Sequence, residues 1–332
     1  MHANIPIFVP HVGCPHSCSF CNQRVISGKV HVPDAQETAE ICADALRHLS
    51  QKYDSVEIAF FGGSFTAISQ DLMISLLESA ARFLADKRVS GIRVSTRPDA
   101  INNEKLDILK YYGVTAIELG AQSMYNKVLE QNRRGHTAED VVMASALVRE
   151  YGFELGLQMM TGLWGSNSQM DCETGRQIAK IKPDTVRIYP TVVIQGTELE
   201  QKMQSGEYLP QSLEEAVETA AWLLELFESS GIRVIRLGLH ASELLEGKAV
   251  GGVYHPAMGE LCRSRIYYKK LLEQLNQSTC KRVKLYALPQ KISQIIGQKR
   301  CNIEALQQQG YQIEVISQQN LTTDYRLQEV LD

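Results

Sequence analysis

The sequence lacks several features that define other classes of protein. No apolar run in its 332 residues reaches the ~18 residues that a membrane-spanning helix needs. The first residues, Met-His-Ala-Asn-Ile-Pro, contain no basic region followed by an apolar stretch, so we expect no signal peptide. The formal net charge of −4 predicts no general attraction to polyanions. We therefore expect a cytoplasmic globular protein that does not bind membranes.

Cysteine is present and unevenly placed. Three of the eight cysteines fall in Gly13-Cys14-Pro15-His16-Ser17-Cys18-Ser19-Phe20-Cys21. Structural disulfides are rare in a reducing compartment, so clustered thiols there indicate a metal site or catalysis. The remaining cysteines are isolated and are expected in the core or on the surface: Cys42, Cys172, Cys262, Cys280 and Cys301.

The spacing C-x3-C-x2-C suits an iron–sulfur cluster. Three thiolates at this spacing can wrap one loop around three irons of a cubane. The fourth iron then has no cysteine and is open to another ligand, as in catalytic metal sites generally. Zinc is the alternative, but it usually takes paired C-x2-C ligands, and the chain has no second pair. Because His11 or His16 could supply a fourth ligand, zinc stays open.

Strand-like and helix-like segments alternate over most of the chain. The strand candidates are residues 5–10, 56–61, 92–95, 116–120, 154–160, 185–189 and 233–237. Repeated strand–helix units predict an α/β fold with a parallel sheet and right-handed crossovers. About six or seven units fit a partial or complete TIM-like (β/α) barrel, which places its chemistry at the carboxyl ends of the strands. The cysteine loop and several other polar loops follow strands and should converge there.

Charge is distributed unevenly. From Leu261 to Arg300 there are ten Lys and Arg and one acidic residue, Glu273, so this stretch carries +9 and the rest about −13. A basic appendage on an acidic body is typical of polyanion binding, although a solvated basic surface has the same composition. We place a domain boundary after the last strand candidate, with a barrel over 1–245 and a basic α/β appendage over 246–332.

The appendage has the pattern of a KH domain core. A strand from Val283 and a helix over 290–296 precede the loop Gly297-Gln298-Lys299-Arg300; a helix over 302–309 and a strand over 311–316 follow it. KH loops clamp a nucleic-acid backbone. Arg300 stands where the second glycine of a G-x-x-G loop is expected. Lys299 and Arg300 are therefore candidate RNA-binding residues, and the alternative is a small α/β appendage that packs against the barrel.

The cysteine motif, followed by Gly62-Gly63-Ser64 after the next strand, resembles the radical S-adenosylmethionine (SAM) superfamily. The resemblance implies that Cys14, Cys18 and Cys21 hold a 4Fe-4S cluster whose open iron binds SAM. Reductive cleavage of SAM would then yield a 5′-deoxyadenosyl radical, with reduced ferredoxin or flavodoxin as electron donor. The SAM-binding residues that we expect are Phe20, Gly62, Gly63, Ser64, Thr96, Gln122 and Ser123.

Within that superfamily the chain resembles the radical SAM domain of the Elongator catalytic subunit, which modifies wobble uridine in tRNA. The matching strings are Gly62-Gly63-Ser64-Phe65-Thr66-Ala67, Ser95-Thr96-Arg97-Pro98-Asp99, Leu119-Gly120-Ala121-Gln122-Ser123, Asn132-Arg133-Arg134-Gly135-His136-Thr137 and Arg187-Ile188-Tyr189-Pro190-Thr191. Two departures stand out. The chain ends too early for the acetyltransferase domain that follows in that subunit, and Ser95 replaces a glutamate.

The resemblance favours an enzyme that modifies RNA, with tRNA and rRNA both open and its transferase or oxidoreductase class undecided. Arginines and a histidine at the barrel mouth would recognise phosphate or carboxylate, unless they anchor loops instead. These candidates are Arg97, Arg133, Arg134 and His136. The alternatives are a radical SAM enzyme that acts on a small molecule or peptide, and a non-catalytic metal-binding or RNA-binding protein.

Overall fold

The computed structural model describes residues 2–10, 12–14, 17–28, 31–50, 53–239, 247–278 and 280–330. Its strands are β1 His2–Val9, β2 Ser55–Gly62, β3 Val89–Thr96, β4 Val114–Gln122, β5 Glu154–Thr161, β6 Thr185–Pro190, β7 Val192–Ile194, β8 Arg233–Leu237, β9 Ala249–Gly252, β10 Arg282–Ala287, β11 Gln312–Ser317 and β12 Tyr325–Glu329. Its α-helices are α1 Gln23–Ser27, α2 Ala35–Arg47, α3 Gln70–Ala81, α4 Asn103–Tyr111, α5 Asn126–Gln131, α6 Ala138–Glu150, α7 Ser168–Ile181, α8 Glu198–Gln204, α9 Leu213–Ser229, α10 Met258–Asn276, α11 Ile292–Ile296 and α12 Cys301–Gln308.

Seven strands form one parallel sheet in the order β1-β2-β3-β4-β5-β6-β8. Each strand pairs with the next in parallel register, from Ile5 opposite Ile58 in the first pair to Val186 opposite Val234 in the last. The sheet is a curled half-barrel, so the predicted α/β fold is confirmed in its partial form. All seven strand candidates correspond to strands of this sheet. Because the strands are parallel, the loops that follow them emerge at one edge.

The two faces of the sheet differ in polarity. Side chains such as Ile58 and Phe60 are fully buried in the core that joins the sheet to the surrounding helices. The alternate positions face the barrel interior and carry charge: Arg93 contacts Glu57 and Glu154, and Arg187 contacts Glu118. Buried charges are tolerated when they are paired and hydrogen-bonded. The interior below the cysteine loop is therefore polar.

Local capping signals fix the starts of several helices. A capping box formed by Asp34 and Glu37 opens α2, and a second one, formed by Ser212 and Glu215, opens α9. Thr137 opens α6 in the same way. In each case a side-chain oxygen accepts a hydrogen bond from an otherwise unpaired backbone N–H. These patterns are local, since each joins residues three apart in the chain.

The C-terminal region forms a second sheet, β11-β10-β12, in which β10 and β11 are parallel and β12 is antiparallel to β10. With α11 and α12 between β10 and β11, the predicted strand–helix–helix–strand order is confirmed. Helix α10 was not predicted. It contributes Met258 and Ile266 to the barrel core, and Leu271 to a second core under the smaller sheet.

The boundary that we place at 245/246 lies outside the described residues, in the gap at 240–246. The division into 1–245 and 246–332 therefore stays a prediction. Among the helices of the described ranges, none is both long and apolar enough to cross a membrane.

Candidate active site

The cysteine loop follows β1 and packs closely against the loop that follows β2. Gly13 has a φ of +79°, and a Cβ there would lie 2.4 Å from the Ser64 carbonyl oxygen. A Cβ on Gly63 would lie 2.4 Å from the Val12 carbonyl oxygen. Glycine removes both clashes, and it also adopts the positive φ at position 13 without steric cost. The glycines at these positions allow two backbone segments to meet beside Cys14.

The far side of the cysteine loop is held by Asn132, which follows α5. The Ser19 backbone N–H donates to the Asn132 carbonyl oxygen at 3.2 Å, and the Ser19 hydroxyl donates to Asn132 Oδ1 at 2.7 Å. Asn132 Nδ2 in turn donates to the Val128 and Trp164 carbonyl oxygens, both at 2.8 Å. The Leu199 N–H donates to the Ser19 carbonyl oxygen at 2.8 Å. Two separate segments, at Asn132 and Leu199, thus hold the loop at Ser19.

The three thiols are close enough to affect one another electrostatically. Burial, followed by the charges of Cys18 and Cys14, raises the pKa of Cys21 to about 12. Burial and Cys18 also raise the pKa of Cys14, while the charges of Arg134 and Arg97 oppose the rise. Cys14 and Cys21 therefore stay protonated at neutral pH, so metal binding must displace protons from these two thiols.

The donor set fits an iron–sulfur cluster. Three free thiols lie in one loop, and the Arg134 guanidinium, whose Nε is buried and without a partner, contacts the Cys18 sulfur. In the part of the chain that the structure describes, no three Cys, His, Asp or Glu side chains converge as ligands of a single ion would. Thiolates that bind different irons of one cubane need not converge on a point. His11 and His16, considered as zinc ligands, lie outside the described residues.

Arg134 and Arg97 form a linked pair behind the thiols. Arg134 Nη1 donates to Cys18 Sγ at 3.0 Å, and Nη2 donates to the Gly120 carbonyl oxygen at 2.9 Å. Arg97 Nη2 donates to the Arg134 carbonyl oxygen at 2.6 Å, and Arg97 is also paired with Asp99. Both arginines are buried, so the geometry gives them a role in anchoring the loops.

The predicted SAM-binding residues of β2 and β3 lie together. Thr96 Oγ1 is 2.9 Å from Ser64 Oγ and 2.6 Å from Thr66 Oγ1, and the Arg97 N–H donates to Ser64 Oγ at 3.1 Å. The Gly62 carbonyl oxygen accepts a hydrogen bond from Gln23 Nε2 at 2.6 Å. These side chains join the two loops into one surface beside the cysteines.

Gln122 ends β4 in an unusual conformation. It is a buried residue with a φ of +64°, in the left-handed region that costs a non-glycine residue about 1–3 kcal/mol. Its Oε1 accepts a hydrogen bond from Gln158 Nε2 at 3.4 Å. Ser123 is also buried, and its hydroxyl accepts from the Tyr125 N–H. Phe20 is half-buried and packs against Val128 and neighbouring apolar residues.

The other predicted substrate residues are dispersed. Arg133 is exposed and pairs with Glu198 at 2.9 Å. His136 is buried, with Nε2 3.2 Å from the Ala121 carbonyl oxygen, and burial followed by the charge of Arg134 lowers its pKa to about 4. Lys299 and Arg300 lie in the α11–α12 loop of the appendage, both at positive φ. Substrate roles for these residues stay predictions.

Four of the ten basic residues in this stretch are neutralised by helix α9. Ion pairs join α10 to the acidic face of α9: Arg263–Glu228, Arg265–Glu214, Lys269–Glu218 and Lys270–Glu225. Lys284 lies 3.9 Å from Glu314, and Lys281 lies over the Tyr311 ring. Lys291, Lys299 and Arg300 make no ion pair within the described ranges. The net charge of +9 therefore overstates the free positive charge.

Sequence reasoning missed two residues of the site. Ser19 was considered only as part of the cysteine motif, and Asn132 only as part of a matching string, yet both are fully buried and hydrogen-bonded to each other. The signal was present in hindsight, since a polar residue inside the cysteine motif needs a partner once it is buried. The identity of that partner could not be predicted, because Ser19 and Asn132 are 113 positions apart in the chain.

Comparisons with known proteins agree with this geometry. Residues 8–174 match the radical SAM superfamily profile, and residues 183–268 match the Radical_SAM C-terminal domain. The tRNA uridine(34) acetyltransferase of Methanocaldococcus jannaschii is 29% identical over 287 residues, which are 75% of this chain and 52% of that protein. Elongator complex protein 3 of Saccharomyces cerevisiae is 28% identical over 213 residues, 58% of this chain and 38% of that protein.

Solved structures give the same result. The archaeal Methanocaldococcus infernus Elp3 with an N-terminal deletion superposes with a TM-score of 0.64 at 25% identity, covering 85% of this chain and 66% of that one. Streptococcus suis SuiB shares the fold, with a TM-score of 0.51 at 13% identity over 72% of this chain and 50% of that one. The chain spans about half the length of the first of these curated relatives. With its cysteine loop, half-barrel and profile match taken together, the chain belongs to the radical SAM superfamily and resembles the radical SAM domain of the Elongator catalytic subunit.

Proposed function

We propose that this chain is a radical SAM enzyme that modifies tRNA, with Cys14, Cys18 and Cys21 as the ligands of a 4Fe-4S cluster. The observation that carries the proposal is the arrangement of three free thiols in one braced loop beside the buried Arg134 guanidinium. When bound, the cluster supplies the electron that cleaves SAM to methionine and a 5′-deoxyadenosyl radical. The protein contributes binding, orientation and exclusion of water.

The residues around the thiols supply the binding surface for SAM. The Gly62-Gly63-Ser64 backbone approaches the cysteine loop closely, and Ser64 and Thr96 add hydroxyls to the same surface. Gln122 presents a buried amide at the carboxyl end of β4, with Ser123 next to it. Polar groups that are fixed by their neighbours can orient a ligand without paying for their own ordering. We assign Phe20 to the adenine side of this surface.

The test is anaerobic reconstitution with iron and sulfide, followed by dithionite and SAM, with 5′-deoxyadenosine measured by chromatography. The inactive variant is Cys14→Ala/Cys18→Ala/Cys21→Ala. The matched control is Cys301→Ser, which removes an exposed cysteine from outside the loop. We expect a cluster and 5′-deoxyadenosine from wild type and Cys301→Ser and neither from the triple variant. Failure of the wild type to bind a cluster would refute the proposal and favour zinc.

The RNA part of the proposal rests on the relatives that act on tRNA uridine(34) and on the appendage. Lys291, Lys299 and Arg300 surround the α11–α12 turn of a strand–helix–helix–strand unit, and the last two are exposed. Cations without carboxylate partners are free to neutralise RNA phosphates, whereas the paired α10 cations are not. We therefore assign RNA docking to this turn and the chemistry to the barrel.

Binding of unmodified tRNA at ~50 and ~200 mM salt tests this assignment. Lys291→Gln/Lys299→Gln/Arg300→Gln should weaken binding and make the slope of log K against log salt shallower by about 2. Arg265→Gln/Lys269→Gln/Lys270→Gln changes the net charge by the same amount at the ion-paired helix and should have a much smaller effect. Equal effects of the two triple variants would contradict a specific role for the turn.

A further inference from the structure

Arg134 differs from the other buried arginines in its partners. Arg93 contacts three carboxylates, and Arg97 is paired with Asp99. Arg187, which is nearly buried, is paired with Glu118. Arg134 is 9% exposed and makes no ion pair with any carboxylate of the described chain. Its contacts are one carbonyl oxygen and the Cys18 sulfur.

A buried guanidinium without a counter-ion is costly, because removal of a charge from water is repaid only by a nearby opposite charge. The Cys18 sulfur, which contacts Arg134, would carry negative charge once it is deprotonated as a cluster ligand. Arg134 Nη1 lies 3.0 Å from Cys18 Sγ. The site is therefore arranged so that deprotonated, metal-bound thiolates complete the environment of Arg134.

The orientation of Arg134 is fixed on several sides. Its backbone N–H donates to the Leu129 carbonyl oxygen at 2.9 Å, its carbonyl oxygen accepts from Arg97, and its Nη2 is bound to the Gly120 carbonyl oxygen. Nη1 is left pointing at Cys18. The hydrogen bond to sulfur is thus set by the folded loop, so it costs little ordering when the thiol becomes a cluster ligand.

We propose that Arg134 tunes the cluster by raising its midpoint potential, acting through the hydrogen bond to the Cys18 sulfur. The inference rests on the proposed function, because it requires a cluster on the three cysteines. Reduction adds one electron and makes the cluster one unit more negative. A fixed cation and a hydrogen bond to sulfur stabilise that state more than the oxidised one, and hydrogen bonds to sulfur are among the factors that set cluster potentials. Arg134 therefore makes the cluster easier to reduce by its donor.

The experiment is an anaerobic redox titration of the reconstituted full chain with dithionite and mediators, in which the reduced cluster is followed by electron paramagnetic resonance. Iron and sulfide content is measured on each sample. The variants are Arg134→Gln, which removes the charge, and Arg134→Lys, which keeps it but loses the planar fork. Arg47→Gln is the matched control, since this arginine is exposed on α2 and paired with Asp44.

We expect the reduced-to-oxidised ratio of Arg134→Gln at a fixed potential to fall at least tenfold, a shift of about −59 mV for one electron. The midpoint of Arg134→Lys should shift less, and the midpoint of Arg47→Gln should match that of wild type. An Arg134→Gln cluster with the wild-type midpoint would overturn the inference. If the Arg134→Gln variant does not bind a cluster, the Arg134→Lys variant provides the test. A lysine ammonium cannot contact both Gly120 and Cys18 as the guanidinium does, so an Arg134→Lys cluster with the wild-type midpoint would overturn the inference.

The titration is run first without SAM and then with it. A shift that is present without SAM supports a direct effect on the cluster. A shift that requires SAM would overturn the inference, because the guanidinium would then act through the ligand. Failure of the wild type itself to bind a cluster would instead refute the proposed function, so the two outcomes are distinguishable.

Discussion

Asn132→Ala tests whether one buried side chain holds the cysteine loop. The substitution removes three hydrogen bonds: from the Ser19 hydroxyl at 2.7 Å and to the carbonyl oxygens of Val128 and Trp164 at 2.8 Å. The Val128 oxygen keeps a second donor, the backbone N–H of residue 132. The Ser19 hydroxyl and the Trp164 oxygen have no other partner within the described ranges. Each buried polar group left unsatisfied costs about 1–3 kcal/mol, so we expect a loss of about 3 kcal/mol.

The loss should be local to the cysteine loop and therefore visible in two assays. Urea denaturation of the apoprotein, followed by circular dichroism, gives the change in stability, and iron content after reconstitution reports on the loop. Asn126→Ala is the matched control: it lies on the preceding helix and also makes two side-chain hydrogen bonds, but it is exposed, so it should cost about 1 kcal/mol or less. If Asn132→Ala loses no more stability than Asn126→Ala and loads iron normally, the reasoning is refuted.

Three further predictions concern the same framework. Gly63→Ala places a methyl group 2.4 Å from the Val12 carbonyl oxygen and should cost about 1–3 kcal/mol and reduce iron loading, measured by urea denaturation and iron assay. Burial raises the pKa of Asp171 to about 6, above the unfolded value of ~3.9. The native state therefore binds more protons between about pH 4 and 6, so the free energy of unfolding falls by up to about 3 kcal/mol as pH rises through this window, and Asp171→Asn should remove that dependence. Arg93→Met removes the cation that lies between buried carboxylates, Glu57 among them, and should cost about 3–5 kcal/mol in thermal or urea denaturation at neutral pH.

Each of these predictions has its own contradicting result. Gly259→Ala, at a helical site where a Cβ meets no atom within 4 Å, controls for the methyl group next to Gly63. Equal iron loading of Gly63→Ala and wild type would contradict close loop packing. A pH profile of Asp171→Asn that still falls between about pH 4 and 6 would assign the dependence to another group. Arg93→Met with wild-type stability would mean that the carboxylates take up protons instead.

The fold was predictable because its signals are local. Apolar strands of four to seven residues alternate with amphipathic helices, and that repetition indicates a parallel sheet wherever it occurs. Capping boxes such as Asp34 with Glu37 depend on residues three apart. Helix α10 was missed because its buried positions serve two cores, with Met258 in one and Leu271 in the other, so its apolar residues do not form a single clear face.

The candidate site also has features that the sequence predicts and features that it does not. The positions of the three cysteines, the glycines after β2 and the arginine-rich string after α5 could all be read from the chain, and the superfamily match covers them. The contact partners of these residues could not be predicted from the sequence. Ser95, where the Elongator pattern has a glutamate, lies 3.5 Å from the Glu118 carboxylate, so the neighbouring strand supplies a carboxylate beside this position.

By itself, the sequence determined the superfamily and the parallel α/β fold, because short spacings and periodic patterns can be recognised without knowledge of the fold. It also predicted the three cysteines that we propose as cluster ligands. The tertiary structure alone decided which charges are free. Helix α9 neutralises the basic face of α10, Asp99 forms an ion pair with Arg97, and Arg134 donates a hydrogen bond to the Cys18 sulfur. Charge pairing depends on distances of a few ångströms between residues far apart in the chain, and those distances exist only after the sheet and its helices have packed.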